Sequence, residues 1–251
     1  MSKKLIDVSE WQGIIDWPKV KSSGIDYAII RAGGRYGVSG KLYTDTRFKA
    51  NIKEALNNNV KIGVYFFTQA VNTREAVEEA DYTLELIKGY NITLPIYFDT
   101  EYLDEGRHNN ISRGQRTEVV KAFCDRIKKA GYNAGVYGST SWLNNQLIMS
   151  NISGVSVWVA QYYTTCEYRG SYDIWQYTSS GKVNGISGNC DLNILYKEYA
   201  PDNNYPDKIK ALAVDVILGK YGNGDERVKK LGSNYTEVQS LVNVICERLG
   251  L

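Results

Sequence analysis

The chain has 251 residues, 43% hydrophobic and 23% charged with only 4 prolines, which excludes a disordered or fibrous protein and fits one barrel of roughly 200 residues plus a small appendage. Its 30 Lys and Arg against 28 Asp and Glu leave a formal charge of +2, too balanced for nucleic-acid binding driven by bulk charge. A single histidine excludes motifs that need two imidazoles, and four dispersed cysteines without a CxxC speak against a zinc knuckle or thioredoxin-like site.

The opening MSKKLIDVSEWQG lacks the apolar run of a signal peptide, and no 18-residue apolar stretch follows. Cytoplasmic synthesis without membrane insertion is the expectation. Eight short apolar runs, starting at Leu5, Tyr27, Lys61, Leu94, Ala134, Val157, Ile174 and Cys190, predict buried strands. Helices are predicted between the earlier ones. One opens at Thr73, with Glu75, Glu78 and Glu79 at its start and Gly89 at its end; another opens on a capping box, Ser112 with Gln115, and stops at Gly131. Strands apolar on both faces argue for a parallel sheet wrapped by helices. The later gaps are too short for crossover helices, so loops or hairpins should join the last three strands.

Pro201 to Pro206 read as a linker between a barrel, 1–200, and an appendage, 207–251. In the appendage Ile209, Leu212, Ala213, Val216 and Ile217 form one helical stripe; Val238, Leu241, Val242, Ile245 and Leu249 form another after a second capping box, Thr236 with Gln239. With a short central helix these make a three-helix unit.

In a parallel barrel the site lies at the carboxyl ends of the strands. Asp7 ends the first run, Asp99 and Glu101 end the fourth, and Asp191 lies in the last. Asp99 and Glu101 face the same side if the strand continues through Thr100. Crowded like charges raise one pKa, so one group of the pair can persist as a proton donor near neutral pH. A hard-metal site is the rival use, but the EF-hand spacing is absent. No metal and no cofactor is expected. The aromatic company, Tyr65, Phe67, Tyr97, Tyr137, Trp158, Trp175 and Tyr177, suits sugar rings, with Phe67 and Tyr97 better placed in the core. Arg31, ending the second strand, balances the carboxylates or holds a substrate acid. His108 sits in the polar loop EGRHNN and should be solvated.

The pieces DVSEWQGIIDWPKVKSSGIDYAIIRAG, GVYFF, YFDTE, GVYGSTSWL, WVAQY and IWQYTSSGKVNGISGNCDLN run in order through residues 5–196 and resemble family 25 glycoside hydrolases, the muramidases of phage endolysins and of bacterial and fungal lysozymes. Residues 207–249 resemble the CW_7 cell-wall-binding repeat, in one copy. The resemblance implies an irregular (β/α)5(β)3 barrel, TIM-like, followed by a small three-helix bundle. It implies cleavage of the β-1,4 bond between N-acetylmuramic acid and N-acetylglucosamine of bacterial peptidoglycan, with Glu101 as general acid, Asp99 its partner, and Asp7 and Asp191 completing an acidic floor. Arg31, Tyr65, Tyr137, Trp158, Gln161, Trp175 and Tyr177 are the expected substrate contacts.

Retention through the substrate's own 2-acetamido group, a direct carboxylate nucleophile, and inversion all stay open. A non-catalytic peptidoglycan-binding protein is the alternative. The resemblance further implies release through a membrane hole made by another protein, and weak binding by one repeat points to a homo-oligomer aided by the C-terminal domain. Whether Cys166 and Cys190 pair is left open.

Overall fold

A computed structural model describes residues 2–197, 199 and 206–249, in two compact units, 1–200 and 201–251. The linker expected at 201–206 falls at this division; its residues 201–205 lie outside the described residues, and Pro206 precedes the first helix of the second unit.

In the first unit β1 (Lys3–Val8) leads through a 3-10 turn (Glu10–Gln12) to α1 (Trp17–Ser22). β2 (Tyr27–Arg35) is followed by a short β3 (Leu42–Thr44) and α2 (Phe48–Asn57), β4 (Lys61–Phe67) by α3 (Thr73–Leu86), β5 (Ile96–Asp99) by α4 (Arg113–Lys129), and β6 (Ala134–Ser139) by α5 (Thr140–Gln146). β7 (Ser156–Ala160), β8 (Ile174–Gly181) and β9 (Cys190–Leu195) complete the sheet with no α-helix between them. The order β1-β9-β8-β7-β6-β5-β4-β2, with β1 also paired to β2, closes an eight-stranded (β/α)5(β)3 barrel, and β3 is an added flap on β2.

One feature departs from the sequence expectation. β3 went unforeseen because it is three half-buried residues held only by antiparallel pairing of Thr44, Tyr43 and Leu42 to Gly33, Gly34 and Arg35. That pairing needs the glycines: a Cβ at Gly33 would lie 2.0 Å from the Tyr43 carbonyl oxygen. A hairpin does join the last two strands, as the short gap leads one to expect. β9 runs antiparallel to both β8 and β1, since the loop between Gly181 and Cys190 is shorter than the dozen or so residues a parallel return requires.

Local signals set the helix ends. α3 opens at Thr73 as expected, capped by Asn72, whose Oδ1 accepts from the Glu75 N–H at 3.0 Å. Ser112 Oγ accepts from the Gln115 N–H at 3.2 Å, but the Gln115 side chain donates to the Val71 carbonyl instead of closing a capping box. Such caps contribute about 1 kcal/mol each.

Alternation along the strands separates two cores. Ile6, Val8, Ile30, Val64, Phe66, Phe98, Val136 and Val159 face the helices, whereas Leu5, Tyr27, Ile29, Tyr97, Tyr137, Trp158, Ile174 and Leu195 fill the barrel. Trp158 is the inner hub, with ring centroids 4.4 Å from Tyr137, 5.3 Å from Tyr97 and 6.0 Å from Tyr65. At the amino ends of the parallel strands a hydroxyl chain joins Tyr97 to Ser156 (2.9 Å), Ser156 to Tyr199 (2.5 Å) and Tyr199 to Asp173 (2.9 Å).

The second unit is three helices, α6 (Asp207–Ile217), α7 (Gly224–Leu231) and α8 (Tyr235–Leu249), packed on Ile209, Ala213, Val216, Leu231, Val238, Leu241 and Val242. Leu212 and Ile245 pack at its margin and Ile217 is exposed; the Leu249 side chain lies outside the described residues. Thr236 is inside α8 and not its cap, because a 3-10 turn at Gly232–Asn234 runs straight into the helix; Gln239 instead receives Arg227 at 2.9 Å and donates to Asn243 at 2.7 Å.

Candidate active site

The carboxyl ends of the parallel strands surround a cavity of about 210 Å³ lined by Asp7, Tyr65, Asp99, Glu101, Tyr137, Trp158, Tyr162, Gln176 and Asp191. Register explains the gathering. Asp99 ends β5 beside Phe67 of β4 and Tyr137 of β6, and Tyr137 pairs with Trp158 of β7. The reversal of β9 places its first residues at this same end, with Asp191 directly opposite Asp7. β5 stops at Asp99, so Glu101 reaches the cavity from the loop and not as the next inward position of a strand.

Amides hold the floor. Asp7 Oδ2 accepts from Gln176 Nε2 at 2.9 Å and from Asn193 Nδ2 at 2.7 Å. Gln176 Oε1 accepts from the hydroxyls of Tyr137 (2.9 Å) and Tyr162 (2.8 Å), and Asn193 Oδ1 accepts from the Trp158 indole at 2.8 Å. Asp99 is different: it is buried, and its Oδ1 has no hydrogen-bond partner. An unmet acceptor inside a polar cavity is where a donor on a ligand is wanted.

Four carboxylates in one small volume resist joint ionisation. Burial, then the neighbouring Asp191, pushes Asp7 up to about 8 against the two amide donors that favour its anion. Asp99 is raised well above the usual carboxylate range by burial, then by Glu101 and Asp7, with Arg31 opposing. Glu101 is raised to about 6 by burial and then by Asp191, and Asp191 to about 6 by burial. The neighbour that adds to burial at Glu101 is Asp191, while Glu101 in turn raises Asp99. Asp99 is the deeper group, and burial weighs more on it than the charge of Glu101 does.

The other expected contacts divide. Tyr65, Tyr137 and Trp158 line the cavity; Arg31, Gln161, Trp175 and Tyr177 do not. Arg31 is committed to a network, Nε donating to Asp45 and Nη2 to Glu10 at 2.7 Å each, so no guanidinium fork faces a substrate acid, although its charge does lower Asp99. Gln161 caps its own loop, its Oε1 accepting from Thr140 and the Glu167 N–H. Trp175 and Tyr177 lie on the opposite side of β8 from Gln176: Trp175 packs in the outer core and donates to the Gln161 carbonyl at 2.8 Å, and Tyr177 borders a second cavity with Leu5 and Lys182.

Two lining residues, Tyr162 and Gln176, are not singled out by the sequence pattern. Gln176 is the inward position between two aromatics that had drawn attention to the wrong phase of the strand, and Tyr162 follows β7 with no periodic signal.

His108 is buried, not solvated. Its Nε2 donates to the Glu101 carbonyl at 2.7 Å, its Nδ1 is bonded to the Gln69 side-chain amide at 2.9 Å, and burial lowers its pKa. Arg116 binds the His108 carbonyl at 2.9 Å and stacks over Trp142, whose indole donates to Thr100 Oγ1 at 3.1 Å. The loop that carries Glu101 is thus fastened from beneath. Cys124, Cys166, Cys190 and Cys246 are all free thiols, so Cys166 and Cys190 are not paired.

Comparison with known proteins agrees with this geometry. The chain is 32% identical over 199 residues to Lysozyme M1 of Streptomyces globisporus, covering 75% of this chain and 66% of that protein. It is 30% identical over 229 residues to the autolytic lysozyme of Clostridium acetobutylicum, covering 87% and 66%. The modular autolysin LytC from Streptococcus pneumoniae, solved in complex with a synthetic peptidoglycan ligand, superposes with a TM-score of 0.69 at 36% identity over 78% of this chain and 47% of that one. The chain therefore spans about two thirds of the length of these curated relatives. The CW_7 repeat matches residues 210–246. Glycosyl hydrolases family 25 matches residues 6–186, and the chain belongs to that family.

Proposed function

We propose that the protein is an N-acetylmuramidase that hydrolyses the β-1,4 bond between N-acetylmuramic acid and N-acetylglucosamine in bacterial peptidoglycan. The observation that carries this reading is the meeting of Asp99 and Glu101 in one aromatic-walled cavity on an acidic floor, in a member of a hydrolase family whose relatives are named lysozymes. No cofactor enters the chemistry.

Glu101 donates its proton to the glycosidic oxygen as the bond from that oxygen to C1 breaks through an oxocarbenium-like transition state. The carbonyl oxygen of the muramyl 2-acetamido group forms the new bond to C1, and the unpartnered Asp99 Oδ1 accepts from the acetamido N–H and orients it. Water then adds at C1 as the bond between C1 and the acetamido oxygen breaks and the acetamide is restored, and the water's proton returns to the Glu101 carboxylate. The anomeric configuration is retained.

The C-terminal helices supply wall affinity, and tethering raises the local concentration of substrate at the barrel. As in endolysins, the enzyme acts on the wall after release from the cell that makes it.

Digestion of purified peptidoglycan, followed by borohydride reduction and analysis of the new reducing ends, tests the reading. Reduced muramic acid is expected. Reduced glucosamine ends, or wall binding without any new ends, would refute it, the latter favouring a binding protein. An NMR time course of the first-formed anomer tests the route, since an inverted product excludes acetamido participation.

A further inference from the structure

Four of the five tryptophans, Trp17, Trp142, Trp158 and Trp175, are at most 8% exposed, whereas Trp11 is 80% exposed. Yet Trp11 sits on a turn fastened from several directions. The Ser9 N–H donates to Gln12 Oε1 at 2.8 Å, the Trp11 N–H donates to Ser9 Oγ at 3.3 Å, and Gly13 closes the turn at φ 64°. The Glu10 N–H donates to Asp45 Oδ2 at 3.0 Å, and the Glu10 carboxylate accepts from Arg31 and from Thr46 at 2.7 Å each. Gln12 Nε2 reaches the Asn189 carbonyl at 3.3 Å.

A loose loop would let an apolar ring find cover. This one holds the indole in water, at a cost in hydrophobic free energy and in ordering that nothing within the barrel returns. A rigid exposed aromatic is pre-organised for a partner with an apolar face and a polar edge.

Its place says which partner. The turn follows β1 directly, four residues beyond Asp7, and Gln12 ties it to Asn189, two residues before Asp191. The turn therefore lies beside the strand ends where the two floor carboxylates pair. A cavity of about 210 Å³ is small beside a polymer of linked sugars, so rings further along the chain must lie outside it.

We propose that Trp11 is a stacking platform for a further N-acetylated sugar ring of a β-1,4 glycan, held in position by the Arg31–Glu10–Asp45 network. The C–H face of the pyranose covers the indole while its hydroxyls stay wet. This rests on the glycan-hydrolase reading and adds to it a contact outside the acid cavity.

The test uses the full chain carrying Glu101→Gln, so that glycan persists, and measures iodide quenching of tryptophan fluorescence with and without a β-1,4-linked N-acetylglucosamine pentasaccharide. The pentasaccharide should remove most of the quenching, and Trp11→Ala in the same background should show little quenching in either condition. In the otherwise unaltered enzyme Trp11→Ala should raise the KM for walls about five- to tenfold, with Trp11→Tyr restoring most of the affinity and the melting temperature unmoved.

Undiminished quenching at saturating pentasaccharide, failure of the pentasaccharide to bind, or an unchanged KM in Trp11→Ala would overturn the proposal. Wall cleavage by Glu101→Gln at the unaltered rate would remove the acid assignment, and the shielding of Trp11 would still decide the platform on its own.

Discussion

Asp7 carries the conflict between folding and chemistry most plainly. Its folded pKa, pushed to about 8, lies above that of an unfolded aspartate near 3.9. The folded state thus holds a proton that the unfolded state has released, and its stability is full below about pH 4 and lost as pH rises towards 8. Asp7→Asn removes the penalty and keeps an amide oxygen for Gln176 and Asn193 to donate to. Melting curves should show a gain of about 3–8 °C at pH 8 and little change at pH 4, together with weaker wall cleavage. A larger gain in acid than in base would contradict the burial argument. At this scale the carboxylates were legible in the sequence, because strand ends after apolar runs are where a barrel presents its side chains. Gln176 and Trp175 were not: which phase of β8 faces inward is fixed by its pairing with β9, Gln176 against Asn193, a long-range register with no local trace. His108 was misjudged for the same reason, since its polar neighbours in sequence are not its neighbours in space.

Between α3 and the β2–β3 hairpin lies an ion-pair network that fixes one wall of the barrel. Arg35 Nε meets Glu79 at 2.7 Å, Nη2 meets Glu78 at 2.7 Å, and Nη1 donates to the Gly40 carbonyl at 2.7 Å; Glu79 also accepts from Thr68 at 2.7 Å. Glu79 is fully buried and raised to about 7 by burial, even with Arg35 beside it. Replacing Arg35 with methionine keeps the packing volume but strands that carboxylate, so urea unfolding should show a loss of about 3–5 kcal/mol at pH 8. The loss should shrink at pH 5, where Glu79 is protonated; equal losses at both values would mean that packing and not charge holds the wall. Elements with their own periodicity or caps, such as α4 and the apolar strands, could be read from the chain. β3 could not, because it depends on which partner strand is reached, whereas the reversal at β9 follows from the short gap before Cys190.

The whole molecule is a barrel and a helical unit with separate hydrophobic cores. Residue 199 belongs to the first: the Tyr199 hydroxyl bonds Ser156 and Asp173 at the end of the barrel away from the cavity. A chain ending at residue 200 should fold, keep its activity on soluble muropeptides and lose pelleting with walls, whereas one ending at residue 196 should melt lower. Loss of soluble-substrate activity in the longer of the two would place part of the site in the helical unit. If the helical unit also assembles the enzyme, sedimentation should show an oligomer that is lost with it. The central claim is that Glu101 is the proton donor, and the most direct measurement is kcat/KM on peptidoglycan as a function of pH for the unaltered chain and for Glu101→Gln. The unaltered enzyme should lose activity as pH rises through about 6, where the glutamic acid ionises. The folded variant should be slower by about 10²- to 10⁴-fold at pH 5 and lack that limb. A variant that cleaves walls at the unaltered rate, with the same dependence on pH, would contradict the assignment.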